Sequence, residues 1–407
     1  MKVGIFFGGT SREREISFAG GRTVFDNLDK GLFQPVPIFV DSLGHFILLD
    51  WQYLYKGTIR DFFPPAAVLP ASRHPWQLYL ENLGELSDEA LTDLISHVGR
   101  RVEASELSKL MDFAFLALHG PGGEDGAIQG LLEWVGIPYS GSGILPSAFG
   151  IDKIAQKKLL RATGLATPDF YVLTAADWAT ADPAALLSML GRELGLPLVI
   201  KAPHQGSSIG IGIVREEDPA QFATAVERAL FRRTLTTAEW ESLDENGRLA
   251  WVRQLTDIRE GLGLPVVAEA RHPDLGAAPG GQAPVFAQPE ALLDFLMTAF
   301  PSATEVVLSS LIGETQVLVE QFVAGREFSC IVVEDENGAP LALPPTEIVK
   351  GSEVFDYRAK YLPGLARKVT PIDLPEADIE RIRQQAQAMF ATFGFEVYAR
   401  LDGFIQE

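Results

Sequence analysis

The chain has 407 residues, a formal net charge of −20 and 47% hydrophobic residues. The acidic balance excludes a general nucleic-acid-binding surface, because such a surface needs clustered lysine and arginine. A single cysteine, Cys330, excludes an internal disulfide and fits a reducing cytoplasm, and no apolar run approaches the ~20 residues that span a bilayer. We therefore expect a soluble cytoplasmic protein of about two to four domains, with three as the working number, that binds neither nucleic acid nor membrane.

The first forty residues predict the start of a doubly wound α/β sheet. Residues 3–7 form an apolar run typical of a buried strand, a Gly-rich turn follows, and residues 17–28 predict a helix. A second strand is expected over residues 36–40, which completes a strand, loop, helix, strand order. Residues 51–105, with several prolines, are expected to be irregular.

A second glycine-rich loop follows a later strand. Residues from Asp112 onward read as a buried strand that ends near His119, and a helix is expected over residues 127–135. Doubly wound sheets bind their ligands at the carboxyl ends of their strands, which favours a functional His119. A purely structural histidine at this strand end is the alternative.

The most distinctive loop of the chain lies after a strand at residues 198–201. Its sequence, PHQGSSIGIGIV, predicts a glycine-rich hairpin turn between two strands. Residues 216–315 follow as an insertion with helices near 221–232 and 292–300 and a flexible Pro/Gly/Ala-rich segment at 273–289.

The last part of the chain predicts strands over residues 316–322 and 327–333 and a helix over residues 376–393. A final strand is expected over residues 396–405, so the sequence stops within an element.

The loop after the first strand suits an amino acid. It lacks the GxGxxG pattern of a dinucleotide site, so a nicotinamide cofactor is disfavoured. Its backbone N–H groups and the following helix N-terminus suit a carboxylate, and Glu13 and Glu15 suit an ammonium. A solvated first helical turn is the alternative.

Two lysines favour a phosphate site beside the hairpin loop. Lys201 ends an apolar strand and Lys153 begins a helix, so both cations could converge on the phosphates of a nucleotide. The loop from Gly206 would add N–H donors, and Arg400 and Asp402 lie on the terminal strand. A simple turn is the alternative for the loop alone.

Taken in order, these residues resemble the D-alanine:D-alanine ligases of the ATP-grasp superfamily over nearly the whole chain. The pieces that carry the resemblance are GGTSREREIS (8–17), ALHGPGGEDGAIQG (117–130), PYSGSG (138–143), DKIAQK (152–157), VIKA with QGSSIGI (199–211), VEQFVAGREF (319–328), FDYRAKY (355–361) and ARLD (399–402). Two small departures are Ala202 and Gln205, where the family usually has proline and glutamate.

The resemblance implies an α/β, three-domain ATP-grasp architecture. Residues 1–145 would form an N-terminal Rossmann-like domain with a parallel sheet. Residues 146–318 would form the central ATP-grasp subdomain with the insertion, and residues 319–407 the C-terminal subdomain. ATP would lie between the second and third domains, with two D-alanines facing the first.

The resemblance also implies a role for each site residue. Glu13 would bind the ammonium of the first D-alanine, linked by hydrogen bonds to Ser207 and Tyr361, and His119 would lie near its carboxylate, with Gly206 also binding substrate. ATP would be bound by Lys153, Lys201, Glu320 and Glu327. Lys360 would help to hold the transferred phosphoryl group, Arg400 would stabilise the oxyanion, and Asp402 would bind the metal ion.

The implied reaction is ATP-dependent ligation of two D-alanines through an acyl phosphate, with Mg²⁺ or Mn²⁺, for peptidoglycan precursors. Tyr361 favours a dipeptide product, and the resemblance implies a tendency to form homodimers. The family's second magnesium-binding strand, expected after Asp402, is not in the sequence. Two alternatives stay open: a related carboxylate–amine ligase with another second substrate, and an ATP-binding regulator without catalytic competence.

Overall fold

The computed structural model describes residues 1–272, 276–277, 283–350 and 366–406. Its strands are, in chain order, β1 (Lys2–Gly8), β2 (Gln34–Val40), β3 (Phe46–Leu49), β4 (Gly99–Val102), β5 (Phe113–Leu116), β6 (Phe170–Thr174), β7 (Leu198–Lys201), β8 (Gly212–Val214), β9 (Arg232–Thr236), β10 (Val266–His272), β11 (Gly276–Ala277), β12 (Val285–Phe286), β13 (Glu305–Ser310), β14 (Gln316–Gln321), β15 (Arg326–Glu334), β16 (Pro340–Ala342), β17 (Thr346–Lys350), β18 (Ala366–Val369) and β19 (Tyr398–Ile405).

Helices separate these strands and cover the sheets. They are α1 (Arg14–Asn27), α2 (Asp88–Ser96), α3 (Leu107–Leu110), α4 (Ala127–Val135), α5 (Ile144–Ile151), α6 (Lys153–Thr163), α7 (Ala175–Thr180), α8 (Pro183–Leu194), α9 (Pro219–Leu230), α10 (Thr237–Glu241), α11 (Glu245–Thr256), α12 (Pro289–Ala299) and α13 (Glu376–Phe393). In the described part of the chain, none is both long and apolar enough to cross a membrane.

The N-terminal sheet has the order β4-β3-β2-β1-β5. Strand β1 pairs in parallel with β2 and with β5, while β3 runs antiparallel. Six of the seven residues of β1 are buried, as expected for a strand that is covered on both faces. The predicted doubly wound beginning of the chain is therefore confirmed.

Two sequence expectations in this region are wrong in detail. Helix α1 begins at Arg14 rather than at Ser17, because the N–H groups of Ile16 and Ser17 already donate to the carbonyl of Glu13. Residues 51–105 are not irregular throughout, since they contain α2 and β4. The Ser87 side chain caps α2 by accepting a hydrogen bond from Ala90, and the helix buries a leucine–isoleucine face.

The central sheet has the order β6-β14-β7-β8, and the predicted hairpin is confirmed because β7 and β8 pair antiparallel. Helix α9 packs on this sheet through Phe222 and Val226. A second sheet, with the order β11-β10-β13-β9, lies within residues 216–315 and packs on Trp240, Val252 and Leu292. Part of the predicted flexible segment, residues 273–275 and 278–282, lies outside the described residues.

The C-terminal sheet has the order β16-β15-β17-β18, with β19 paired along the other side of β15. Helix α13, which has the predicted bounds, packs on it through Ile382, Ala386 and Phe390. Cys330 is fully buried in this core, and burial raises the pKa of its thiol to about 11.

Candidate functional site

The loop between β1 and α1 is joined to the loop after β5. Gly8 has a φ of 90°, which turns the chain out of β1, and its N–H donates to Ser17 Oγ at 2.9 Å. Ser11 Oγ donates to the carbonyl of His119 at 2.6 Å and accepts from the N–H of Glu13 at 3.1 Å. The structure therefore brings Glu13 and His119, both predicted from sequence, to the same place.

The Glu13 carboxylate lies against the glycine-serine loop between β7 and β8. Ser207 Oγ donates a hydrogen bond to Glu13, whose side chain is buried. A Cβ atom on Gly206 would lie 2.5 Å from Glu13 Oε2, and one on Gly120 would lie 2.9 Å from it. The absence of side chains at both glycines thus lets two backbone segments approach the carboxylate.

The glycine-serine loop has an unusual backbone conformation. Ser207 and Ser208 have φ values of 49° and 61°, in the left-handed region that costs energy for residues other than glycine. Such conformations cluster at ligand-binding loops, where the surrounding structure maintains them. The arrangement presents Ser207 to Glu13 rather than to solvent.

Glu124 is a further carboxylate of this region that the sequence analysis did not assign. It accepts a hydrogen bond from the N–H of Gly120 at 2.6 Å. Desolvation by the surrounding protein raises the pKa of Glu124, although this hydrogen bond and the nearby Arg400 guanidinium oppose the rise. The only sequence signal for it is its place in GPGGEDG. Together with Glu13 it makes this end of the site acidic, which suits an ammonium.

Three charged side chains form a buried ion-pair cluster at the other end of the site. Lys201 Nζ lies 2.6 Å from Glu320, and Lys157 Nζ lies 3.1 Å from the other oxygen of Glu320. Burial opposes ionisation of Glu320, but the attraction of the two lysines prevails and the pKa of Glu320 is lowered. Lys157 was not predicted; its spacing of four residues from Lys153 on α6 was the available signal.

Lys153 connects α6 to the glycine-serine loop. Its ammonium donates to the carbonyls of Pro203 and Gln205 at 3.2 and 2.5 Å. Burial and the nearby charge of Lys201 lower the pKa of Lys153 to about 8. Asp152 caps the same helix by accepting from the N–H groups of Ile154 and Ala155. A cationic centre of two lysines therefore lies beside the glycine-serine loop, as an anionic phosphate chain requires.

Glu314 anchors the start of the glycine-serine loop and also escaped the sequence analysis. His204 Nδ1 lies 2.8 Å from Glu314 Oε2, and the N–H of His204 also donates to this carboxylate. The hydrogen bond to Glu314 raises the pKa of His204. Nothing in the local sequence around Glu314 indicates this contact.

Arg400 and Asp402 lie on β19 and share one face of it, since they are two residues apart. Arg400 Nη2 lies 3.2 Å from Asp402 Oδ2, and both side chains are largely exposed. The described residues contain no group of three His, Cys, Asp or Glu side chains suited to a metal ion. A single carboxylate such as Asp402 nevertheless fits Mg²⁺, which proteins commonly hold by one or two carboxylates together with substrate phosphates.

The remaining predicted residues are placed as follows. Glu327 lies on β15, opposite Phe404 of β19. Lys360 and Tyr361 lie outside the described residues. The roles predicted for these residues stay predictions.

An N-terminal sheet with parallel central strands followed by antiparallel sheets, with paired lysines beside a glycine-rich hairpin, defines an ATP-grasp enzyme. The chain belongs to the D-alanine–D-alanine ligase family: the family model for the D-ala D-ala ligase N-terminus matches residues 2–142, and that for the C-terminus matches residues 159–243 and 301–407. The predicted family, fold class and ligase class are confirmed, and residues 244–300, within the predicted insertion, are unmatched.

Individual relatives agree with this assignment. The D-alanine–D-alanine ligase of Desulforudis audaxviator is 31% identical over 402 residues, which cover 98% of this chain and 83% of that protein. The VanG D-Ala:D-Ser ligase from Enterococcus faecalis has a similar fold, with a TM-score of 0.57 at 21% identity over 99% of this chain and 85% of its own. A D-alanine–D-alanine ligase from Bacillus anthracis complexed with ATP has a TM-score of 0.50 at 22% identity, over 100% of this chain and 82% of its own.

These relationships support a ligase that uses ATP in peptidoglycan precursor synthesis.

Proposed function

We propose that the protein joins two D-alanines to D-alanyl-D-alanine through an acyl-phosphate intermediate. The observation that carries this proposal is the contact between Glu13 and Ser207. It joins an acidic loop suited to an amino-acid ammonium with a glycine-serine loop suited to phosphates, so the carboxylate of a bound amino acid would lie between its own ammonium site and the phosphate donor.

The first amino acid would bind at the acidic end of the site. Glu13 and Glu124 would attract its ammonium, and His119, next to them, would lie near its carboxylate. Gly206 leaves the space in which Glu13 meets the glycine-serine loop. Tyr361 would extend the hydrogen bonds of Glu13 and Ser207, as the family resemblance implies.

ATP would bind at the cationic end. Lys153 and Lys201 would hold its phosphates, and Glu320 and Glu327 would contact the adenosine. Lys201 is paired with Glu320 at 2.6 Å. A phosphate chain would therefore compete with Glu320 for the Lys201 ammonium. The ATP complex of the Bacillus anthracis ligase, which has the same fold, supports the use of this nucleotide.

The chemistry would proceed in two displacements. The carboxylate of the first D-alanine attacks the γ-phosphorus of ATP; a carboxylate O–P bond forms, the bond to the β-phosphate oxygen breaks, and ADP leaves. The amine of the second D-alanine then attacks the acyl carbon, inorganic phosphate leaves, and the amine gives up a proton. Arg400 would stabilise the oxyanion and Lys360 the transferred phosphoryl group. Mg²⁺ or Mn²⁺ at Asp402 would supply neutralisation of phosphate charge.

The test is D-alanine-dependent release of ADP with ATP and Mg²⁺, with mass spectrometry of the product. L-alanine, D-serine and D-lactate are the comparison substrates. We expect D-alanyl-D-alanine from D-alanine alone, strongly reduced formation with Glu13→Gln, and normal formation with Glu85→Gln, which removes an exposed carboxylate of the same domain. ATP binding without ADP release from any substrate would contradict the proposal and favour a nucleotide-binding regulator.

A further inference from the structure

Arg12 is a buried cation next to the proposed ammonium-binding residue. Only 3% of its surface is exposed. Its guanidinium donates to the backbone carbonyls of Ile258, Gly261 and Leu262 at 2.8, 3.1 and 2.6 Å. The same group lies over the ring of Phe231, 3.9 Å from the ring centroid. The guanidinium is thus held by a cradle of three carbonyls and one aromatic face.

The Arg12 guanidinium carries its positive charge within this cradle. Burial lowers the pKa of Arg12 to about 9, which is still above neutral pH, so the guanidinium keeps its charge. A buried charge is expensive unless hydrogen bonds compensate for its lost hydration. The three carbonyls and the ring supply that compensation, so the contact is specific rather than incidental.

The carbonyl cradle belongs to residues 244–300, which the family model leaves unmatched and which we call the inserted module. Its loop follows α11 and depends on glycine: a Cβ atom on Gly261 would lie 2.2 Å from the carbonyl oxygen of Leu255. Gly263 has a φ of 69°, which also favours glycine. The local sequence of the module therefore shapes the loop that receives Arg12.

The inserted module contacts the N-terminal domain at a second place. Arg73 Nε lies 2.5 Å from Glu290, and Arg73 Nη2 lies 2.7 Å from Asp294, both on α12. This second contact is exposed to solvent and lies far along the chain from Glu13. It offers a matched comparison, because it joins the same two parts of the molecule without holding the loop that carries Glu13.

We propose that Arg12 is a positioning residue through which the inserted module fixes the loop of Ser11, Arg12 and Glu13 and thereby sets the affinity for the first amino acid. This inference rests on the proposed function for the assignment of that loop to the amino acid. Arg12 acts through its neighbour Glu13, which must keep its place against Ser207. Lys153 and Lys201 of the proposed nucleotide site make none of the contacts described for Arg12. Loss of the Arg12 contacts should therefore leave the affinity for ATP unchanged.

The test compares Arg12→Met, which keeps the length of the side chain but removes its donors, with Arg12→Lys and with Arg73→Met. We expect Arg12→Met to raise the KM for the first D-alanine on the order of tenfold, because small displacements of positioning groups have large effects. The dissociation constant of ATP should stay within about twofold, since its lysines are not displaced. Arg12→Lys should restore part of the affinity, and Arg73→Met should leave KM unchanged.

A second readout separates this inference from the proposed function. Hydrogen–deuterium exchange of the wild type, Arg12→Met and Arg12→Lys reports the protection of residues 10–13 and 257–263 without any substrate. We expect faster exchange in both loops for Arg12→Met and intermediate exchange for Arg12→Lys. If wild-type protein released no ADP with any amino acid, the proposed function would fail. The hydrogen–deuterium exchange would still test whether Arg12 couples the two loops.

Three results would overturn the inference. One is an unchanged D-alanine KM in both Arg12 variants with thermal unfolding that matches the wild type. Another is unchanged exchange in both loops. A third is an equal loss of D-alanine and ATP affinity, which would show general destabilisation instead of positioning. Arg12→Lys keeps the charge, so it still provides the measurement if Arg12→Met does not fold.

Discussion

Substitution of Glu320 tests the buried cluster with Lys157 and Lys201 most directly. Glu320→Leu leaves both ammonium groups without their carboxylate, and breaking a buried ion pair costs about 3–5 kcal/mol. The Lys201 side chain is already 24% exposed, so in this variant its ammonium would turn toward water, whereas Lys157 would keep its hydrogen bond to Thr167 Oγ1. We therefore expect the free energy of unfolding to fall by the lower end of this range, about 3 kcal/mol. For a domain of about 150–250 residues this corresponds to a decrease in Tm of roughly 6–12 °C.

The double variant Glu320→Leu/Lys157→Met sharpens this prediction. Replacing a whole buried pair by apolar side chains is often neutral, so the second substitution should recover much of the lost stability. Thermal unfolding by calorimetry measures both effects. Asp169→Ala is the control, because its ion pair with Arg161 is exposed and should contribute nothing measurable. An unchanged Tm in the single variant, or no recovery in the double variant, would refute the reasoning.

Three other predictions concern the loops and helix around the site. Gly206→Ala places a Cβ 2.5 Å from Glu13 Oε2, so the KM for D-alanine should rise; an unchanged KM in steady-state assays would contradict the contact. Asp152→Ala removes the N-cap of α6 and should cost about 1 kcal/mol in thermal unfolding, whereas an unaltered Tm would deny the cap a role. The pKa of Lys153 is lowered to about 8, so its ammonium, and with it ATP affinity, should be lost as pH rises through that value. Burial of the charged Lys153 lowers the free energy of unfolding below that pH, and this cost is relieved above it. Titration calorimetry should show that ATP affinity depends less on pH in Lys153→Met than in the wild type.

Much of the fold could be predicted because local patterns and the final structure agree. The apolar run of β1, followed by glycine and a helix, specifies the first unit of the parallel sheet. The hairpin between β7 and β8 follows from its glycine-serine turn, and α13 follows from Pro375 before it and Gly394 after it.

The errors in the fold have physical reasons as well. Helix α2 was overlooked because its neighbourhood is rich in proline, although Leu91, Leu94 and Ile95 have the spacing of a buried helical face. The sheet within residues 216–315 joins β9, β10 and β13, which are far apart in sequence. Such pairing depends on long-range contacts that no local pattern reports.

The candidate site was predicted best where the family resemblance supplied it. The structure brings the loops of Glu13, His119 and Ser207 together, which spacing alone could not have shown for loops so far apart in sequence, and the roles of these residues stay predictions. Lys157 and Glu124 were missed because their importance lies in the charged groups that the fold places beside them. The protonation of a buried lysine or glutamate is set by neighbours from other elements, and these appear only in the folded chain.

The contacts of Arg12 could not have been predicted from sequence at all, since backbone carbonyls have no sequence signature. The effect of these contacts on the site can be understood from the charges around Glu13. Glu13 has an arginine on each side in the sequence. If either arginine had no other partner, it could pair with the Glu13 carboxylate and compete with a substrate ammonium. Arg12 is held by carbonyls of the inserted module, and Arg14 is paired with Glu81 at 2.8 Å. Both cations are engaged elsewhere, which leaves the Glu13 carboxylate to Ser207 and to a substrate ammonium.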